Sequence, residues 1–143
     1  MSKARYLIGC MIGLLIHTLA GAQKLPDLGD TWQGSISGDS SFMHFNDNYP
    51  TVQLFVDSVR YTVAVDTKKG NLVKCIFSTD KRFTLHGDTV LGKPLNTFKN
   101  KDRAKYYRGH GYFVPLDEDW YAVFHFNATS NTSRCIAVLK DRL

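Results

Sequence analysis

The densest run of chemically capable side chains lies between Lys99 and Tyr112. Lys99, Lys101, Arg103, Lys105 and Arg108 supply positive charge, broken by Asp102 and accompanied by Tyr106 and Tyr107. Arg108-Gly109-His110-Gly111-Tyr112 then sets an imidazole between two glycines. Such a backbone is accessible, and the ring can orient as a base or a hydrogen-bond donor. Cations, aromatic rings and exposed backbone within a few residues are the composition of a contact surface, and arginine and tyrosine are frequent interface anchors. Lys105, Tyr107, Arg108, His110 and Tyr112 are therefore the candidate binding residues, beside the acidic turn Asp117-Glu118-Asp119. The competing reading is a solvated connection that enters the Tyr112 strand through a turn or bulge.

Other chemistries have little support. His44, His86, His110 and His125 show no His-x-His or His-Glu-x-x-His spacing, and there is no Cys-x-x-Cys, so neither a metal nor another cofactor is expected. Glu118, the one glutamate, shares a hairpin tip with Asp117 and Asp119, where adjacent acids are solvated rather than paired for general acid–base work. Gly34-Ser35-Ile36-Ser37-Gly38 has isoleucine where a nucleophile elbow needs serine. The expectation is a non-enzymatic protein, with an unfamiliar enzymatic site near His110 as a lesser alternative.

The chain ends and composition bound the setting. Met1-Ser2-Lys3-Ala4-Arg5 is cationic, Tyr6–Leu19 is an apolar run interrupted by His17, and Ala20-Gly21-Ala22 is a small-x-small pattern. This reads as a signal peptide over residues 1–22, since the run is shorter than the roughly 20 apolar residues of a spanning helix. Leu7-Ile8-Gly9-Cys10 resembles a lipobox, but the apolar run continues beyond Cys10 rather than closing at it. Removal leaves residues 23–143 as a single mostly β domain, exported to a periplasmic or extracellular address, with no further membrane segment. Lys and Arg number 18 against 13 acids, a formal charge of +5 that falls when Lys3 and Arg5 are lost. That mild excess does not argue for nucleic acid. Cys75 and Cys135 remain, and either one disulfide or two buried thiols is expected. Asn127-Ala128-Thr129 and Asn131-Thr132-Ser133 match the glycosylation sequon.

The elements that position these residues read mainly as strands. Val52, Leu54 and Val56 share one parity, as do Tyr61, Val63 and Val65, with Asp57-Ser58 as a tight turn between them. Val73, Cys75 and Phe77 alternate with polar neighbours after the turn Lys68-Lys69-Gly70-Asn71. Late in the chain, Tyr112, Val114 and Leu116 lead to the acidic turn, and Trp120, Ala122, Phe124 and Phe126 share the next inward face, opposite Tyr121, Val123 and His125. Leu91, Leu95 and Phe98 at helical spacing, with Pro94 at a first helical position, predict one short helix near residues 94–101. The fold class is α+β, mostly β: an antiparallel sheet of about six to eight strands and one short helix, or alternatively a small closed β-barrel.

Gly29-Asp30-Thr31-Trp32 resembles the Gly-x-Trp opening of lipocalins and avidin-like barrels, displaced by one residue and without their later motifs. A second resemblance covers residues 61–124: a hairpin, then Gly87-Asp88-Thr89-Val90-Leu91-Gly92-Lys93-Pro94-Leu95, then a strand pair ending in Trp120-Tyr121. It is similar to small exported bacterial proteins in which a glycine-bounded turn enters a short helix beneath a sheet. This resemblance implies a fold and an exported address, not an activity. The functional expectation is a binding protein, most concretely a periplasmic immunity or inhibitor-type protein with a protein partner. A small-molecule binder using a barrel interior is the alternative, which an apolar cavity would favour.

Overall fold

A computed structural model of the protein describes residues 23–128 and 132–143. The expected signal peptide, residues 1–22, lies outside the described residues, as do residues 129–131, which include Thr129 and Asn131 of the two sequons.

Among the described residues ten strands follow one another: β1 (Ser41–His44), β2 (Asp47–Val56), β3 (Val59–Asp66), β4 (Leu72–Ser78), β5 (Thr84–Leu85), β6 (Asp88–Thr89), β7 (Lys105–Tyr107), β8 (Gly111–Pro115), β9 (Trp120–Phe124) and β10 (Ala137–Lys140). Eight form one antiparallel sheet in the order β1-β2-β3-β4-β10-β9-β8-β7, curled into a half-barrel, and β5 and β6 make a separate ribbon. The tight turns arise where the sequence allows left-handed backbone. Asp57 and Ser58 (φ 49° and 67°) join β2 to β3, and Glu118 and Asp119 (φ 53° and 65°) join β8 to β9. Short polar side chains tolerate this region, and consecutive residues there match the twist of a hairpin.

Alternation places the main core on one face of the sheet. Leu54, Tyr61, Val63, Val65, Ile76, Val114, Trp120, Ala122, Phe124 and Val138 are all buried there. The 23–36 segment, the β5–β6 ribbon and the stretch 90–98 cover this face through Leu28, Phe83, Val90 and Phe98. Phe83 packs on Trp120 at 4.9 Å, and Phe98 meets Phe124 edge-on at 5.5 Å. A second apolar cluster occupies the opposite, concave face: Ala64, Cys75, Phe113 and Leu139 are buried, with Phe42, Tyr49, Phe77, Tyr107, Tyr121 and Val123 around them.

Four expectations are corrected. Between β3 and β4 the register shifts, Ala64 facing Cys75 while Val65 faces Val73, so Lys74 is the extra residue of a bulge. One inserted residue flips parity, and Val73 therefore joins the main core while Cys75 and Phe77 turn to the concave face. The helix near residues 94–101 is replaced by two 3-10 turns, Leu95–Thr97 and Lys101–Arg103. The backbone turns extended at Phe98 (φ −85°, ψ 126°), and the chain before it is laid against the 133–135 segment: Gly92 N–H donates to Cys135 O (2.8 Å), Cys135 N–H to Lys93 O (2.9 Å) and Leu95 N–H to Ser133 O (2.8 Å). Leu91, Leu95 and Phe98 still pack on the core, held by this cross-chain ladder rather than by helical turns. Phe126 is 54% exposed, because β9 ends at Phe124 and the alternation ends with it. Finally, β1 and β7 are unpaired edges, so the sheet is open rather than a closed barrel.

Candidate functional site

Curling brings the two edges of the sheet toward each other over the concave face. Phe42 and His44 share a parity on β1, which turns both rings inward. Phe77, Leu139, Ala137, Val123 and Phe113, from four consecutive strands of the sheet order, line the same space. Gly109 and His110, from the turn between β7 and β8, line it as well, with Met43 and Phe45. The result is an apolar cleft of about 210 Å³.

Phe45 spans the gap between the edges. It occupies the turn from β1 to β2 with φ 54°, a left-handed conformation that costs a non-glycine residue about 1–2 kcal/mol. Its ring contacts His44 (4.5 Å, edge-on), Tyr107 (5.1 Å) and His110 (5.2 Å, edge-on). Each such contact contributes about 0.5–1.5 kcal/mol beyond the buried area, so together they offset the backbone term. The two imidazoles thus flank one phenyl ring beside the cleft.

His44 is also anchored from beneath. Its Nε2 is hydrogen-bonded to the Asp141 carboxylate, a pair joining residues 97 apart in sequence. Asp141 is 1% exposed. It also accepts the Arg142 N–H (2.7 Å), and its own N–H donates to Asp119 O (3.0 Å). A buried carboxylate with these partners fixes the imidazole in place.

The five candidate binding residues divide between the two faces. Tyr107 is half-buried in the concave cluster, against Phe45 and Phe113 (5.3 Å), and His110 lines the cleft. Lys105 and Arg108 are exposed beside them on β7 and its turn. Tyr112 points the other way, packing against the main core with its ring 4.9 Å from Tyr106. Gly111 is not free backbone: at φ 119°, a Cβ there would lie 2.2 Å from the Phe124 carbonyl oxygen. The acidic turn is engaged with the ribbon, Asp117 accepting from His86 Nε2 at 3.1 Å in an exposed pair.

His44, Phe45 and Asp141 were not legible as site residues. His44 invited only the question of metal spacing, and Asp141 follows the last strand with nothing local to mark it. Among the described residues no group of three or more His, Cys, Asp or Glu could hold a metal ion.

Cys75 and Cys135 are free thiols, so the disulfide left open by the sequence is not formed. They belong to clusters on opposite faces, Cys75 to the concave one and Cys135 to the main core. Burial pushes the Cys75 thiol up to about 12, aided by the Asp141 charge, and the Cys135 thiol up to about 11. Neither is activated as a nucleophile. No family model, curated protein or solved structure matches this chain.

Proposed function

We propose that the protein is an exported, non-enzymatic binding protein that holds a small, largely apolar ligand in the cleft on the concave face of the half-barrel. The observation that carries this reading is the cleft itself: about 210 Å³, walled by Phe42, Phe77, Phe113, Val123 and Leu139, with His44 and His110 as its polar side chains. Apolar walls with a few placed polar groups are the usual composition of a ligand site. The size suits one ring or a short branched chain, since a cavity of about 150 Å³ takes benzene. Export rests on the pattern of residues 1–22 and places this site in the periplasm or outside the cell.

Ligand-observed NMR with benzyl alcohol tests the reading. Saturation transfer is expected with the unaltered protein and is lost in Ala137→Phe, which fills the cleft. Equal signals from the two, or none from either, would overturn it.

A protein partner, as for an immunity or inhibitor-type protein, is a second reading favoured by one observation. Both sheet edges are unpaired, and each carries an exposed large apolar side chain, Met43 (64%) on β1 and Tyr106 (50%) on β7. Such edges accept an added strand. On this second reading, Met43→Lys and Tyr106→Lys abolish capture of the partner, whereas Ala137→Phe does not.

A further inference from the structure

If the cleft takes an apolar group, the chemistry at its mouth narrows what that group is attached to. His44 commits its Nε2 to Asp141, whose charge is buried and further satisfied by the Arg142 N–H. His110 differs. It makes no hydrogen bond or ion pair through its ring among the described residues, and its ring meets Phe45 edge-on. Its turn is closed by the His110 N–H donating to Tyr107 O at 2.9 Å, which leaves Arg108 and Gly109 at the tip. Lys105 and Arg108 are exposed and have no carboxylate partner among the described residues. No acidic residue occurs between Arg103 and Leu116. Four acids elsewhere are paired with cations or histidines of their own, Asp117 with His86, Asp80 with Arg82, Asp27 with Lys140 and Asp141 with His44. The turn that brings Gly109 and His110 into the cleft lining thus also carries Arg108 at its exposed tip, with Lys105 exposed on the adjoining strand.

We propose that the ligand is a small monocarboxylate, its ring or branched chain in the cleft and its carboxylate at the mouth against His110 and Arg108. The inference rests on the cleft being the binding site and adds the ligand's chemistry. A carboxylate at the mouth keeps part of its hydration, which avoids the large cost of burying an ion. The arginine fork matches the two carboxylate oxygens, and a hydrogen bond to a charged group is about twice as strong as a neutral one. The uncommitted imidazole supplies a further donor on the same side.

Amide-detected NMR titrations with benzoate and benzyl alcohol, the same ring with and without the charge, test this on the exported protein. Benzoate is expected to bind at least about tenfold more tightly, a difference of about 1.4 kcal/mol. His110→Ala and Arg108→Ala should each reduce that ratio several-fold. Arg108 is exposed, so its replacement tests the claim even if the His110 variant is poorly folded. Equal affinities for the two probes, or ratios unchanged in both variants, would overturn the carboxylate and leave the cleft standing. If neither probe shifts any cleft resonance at millimolar concentration, the cleft reading fails and the inference with it.

Discussion

The single residues that matter most here are those whose polar atoms are buried. His44 and Asp141 form a pair in which each satisfies the other, and removing one partner leaves a buried group unpaired. Asp141→Ala should cost about 1–3 kcal/mol in chemical denaturation. Its effect should be strongly non-additive with His44→Leu, because the two residues share one bond. By contrast, Asp117→Ala, which breaks the exposed pair with His86, should stay within about 0.5 kcal/mol of the unaltered protein. The thiols give a second check. Raised by burial to about 12 and 11, Cys75 and Cys135 should alkylate slowly in the native protein at neutral pH, and both should alkylate completely on unfolding without reductant. Rapid native labelling, or no labelling after unfolding, would contradict the placement of these thiols. At this scale the sequence was a partial guide. His110 and Tyr107 stood out through their neighbours in the chain, whereas His44 meets Asp141 only through the fold, across 97 positions.

Strands and turns were more legible, because a period of two repeats along the chain and needs no distant partner. The pairs β2–β3 and β8–β9 and their tight turns follow from alternation and from short polar residues at the turn positions. Alternation failed where one residue broke it. Lys74 inserts a bulge that no local signal marks, and Phe126 continues a pattern beyond the strand that carries it. The expected helix failed for a different reason. Leu91, Leu95 and Phe98 do bury, but the backbone turns extended at Phe98 and the chain before it lies against the 133–135 segment. Gly111 shows how an element constrains a residue. Gly111→Ala would drive a methyl group against the Phe124 carbonyl and force β8 from β9, at a cost of about 1–3 kcal/mol in thermal unfolding. Asp80 ties β3 to the chain after β4. The Arg82 side chain, then the Arg60 and Arg82 N–H groups, hold its carboxyl well below its ordinary value of 3.8. A depressed acid stabilises the folded state above its unfolded pKa, and that contribution fades as pH falls through the folded value. Asp80→Asn should therefore lower stability at neutral pH, and the gap to the unaltered protein should narrow as pH falls below about 4. A gap constant with pH would mean that the carboxyl's charge is not what holds this junction.

At the scale of the whole molecule, the sheet has two faces with different roles. One packs against the loops and the ribbon into the main core, and the other curls around a small apolar space that Phe45 bridges from edge to edge. The mostly β character was legible from alternation alone. The curl, the open edges and the cleft were not, because they depend on which strands end up as neighbours. The claim that this cleft, and not the main core or an outer edge, receives a ligand is tested most directly by a methyl-labelled NMR map with benzene as the probe. The Val123, Ala137 and Leu139 methyls should shift together and saturably, while those of Val63, Val65 and Val114 in the main core remain in place. Shifts confined to the main core, or a cleft whose methyls do not respond at all, would contradict it.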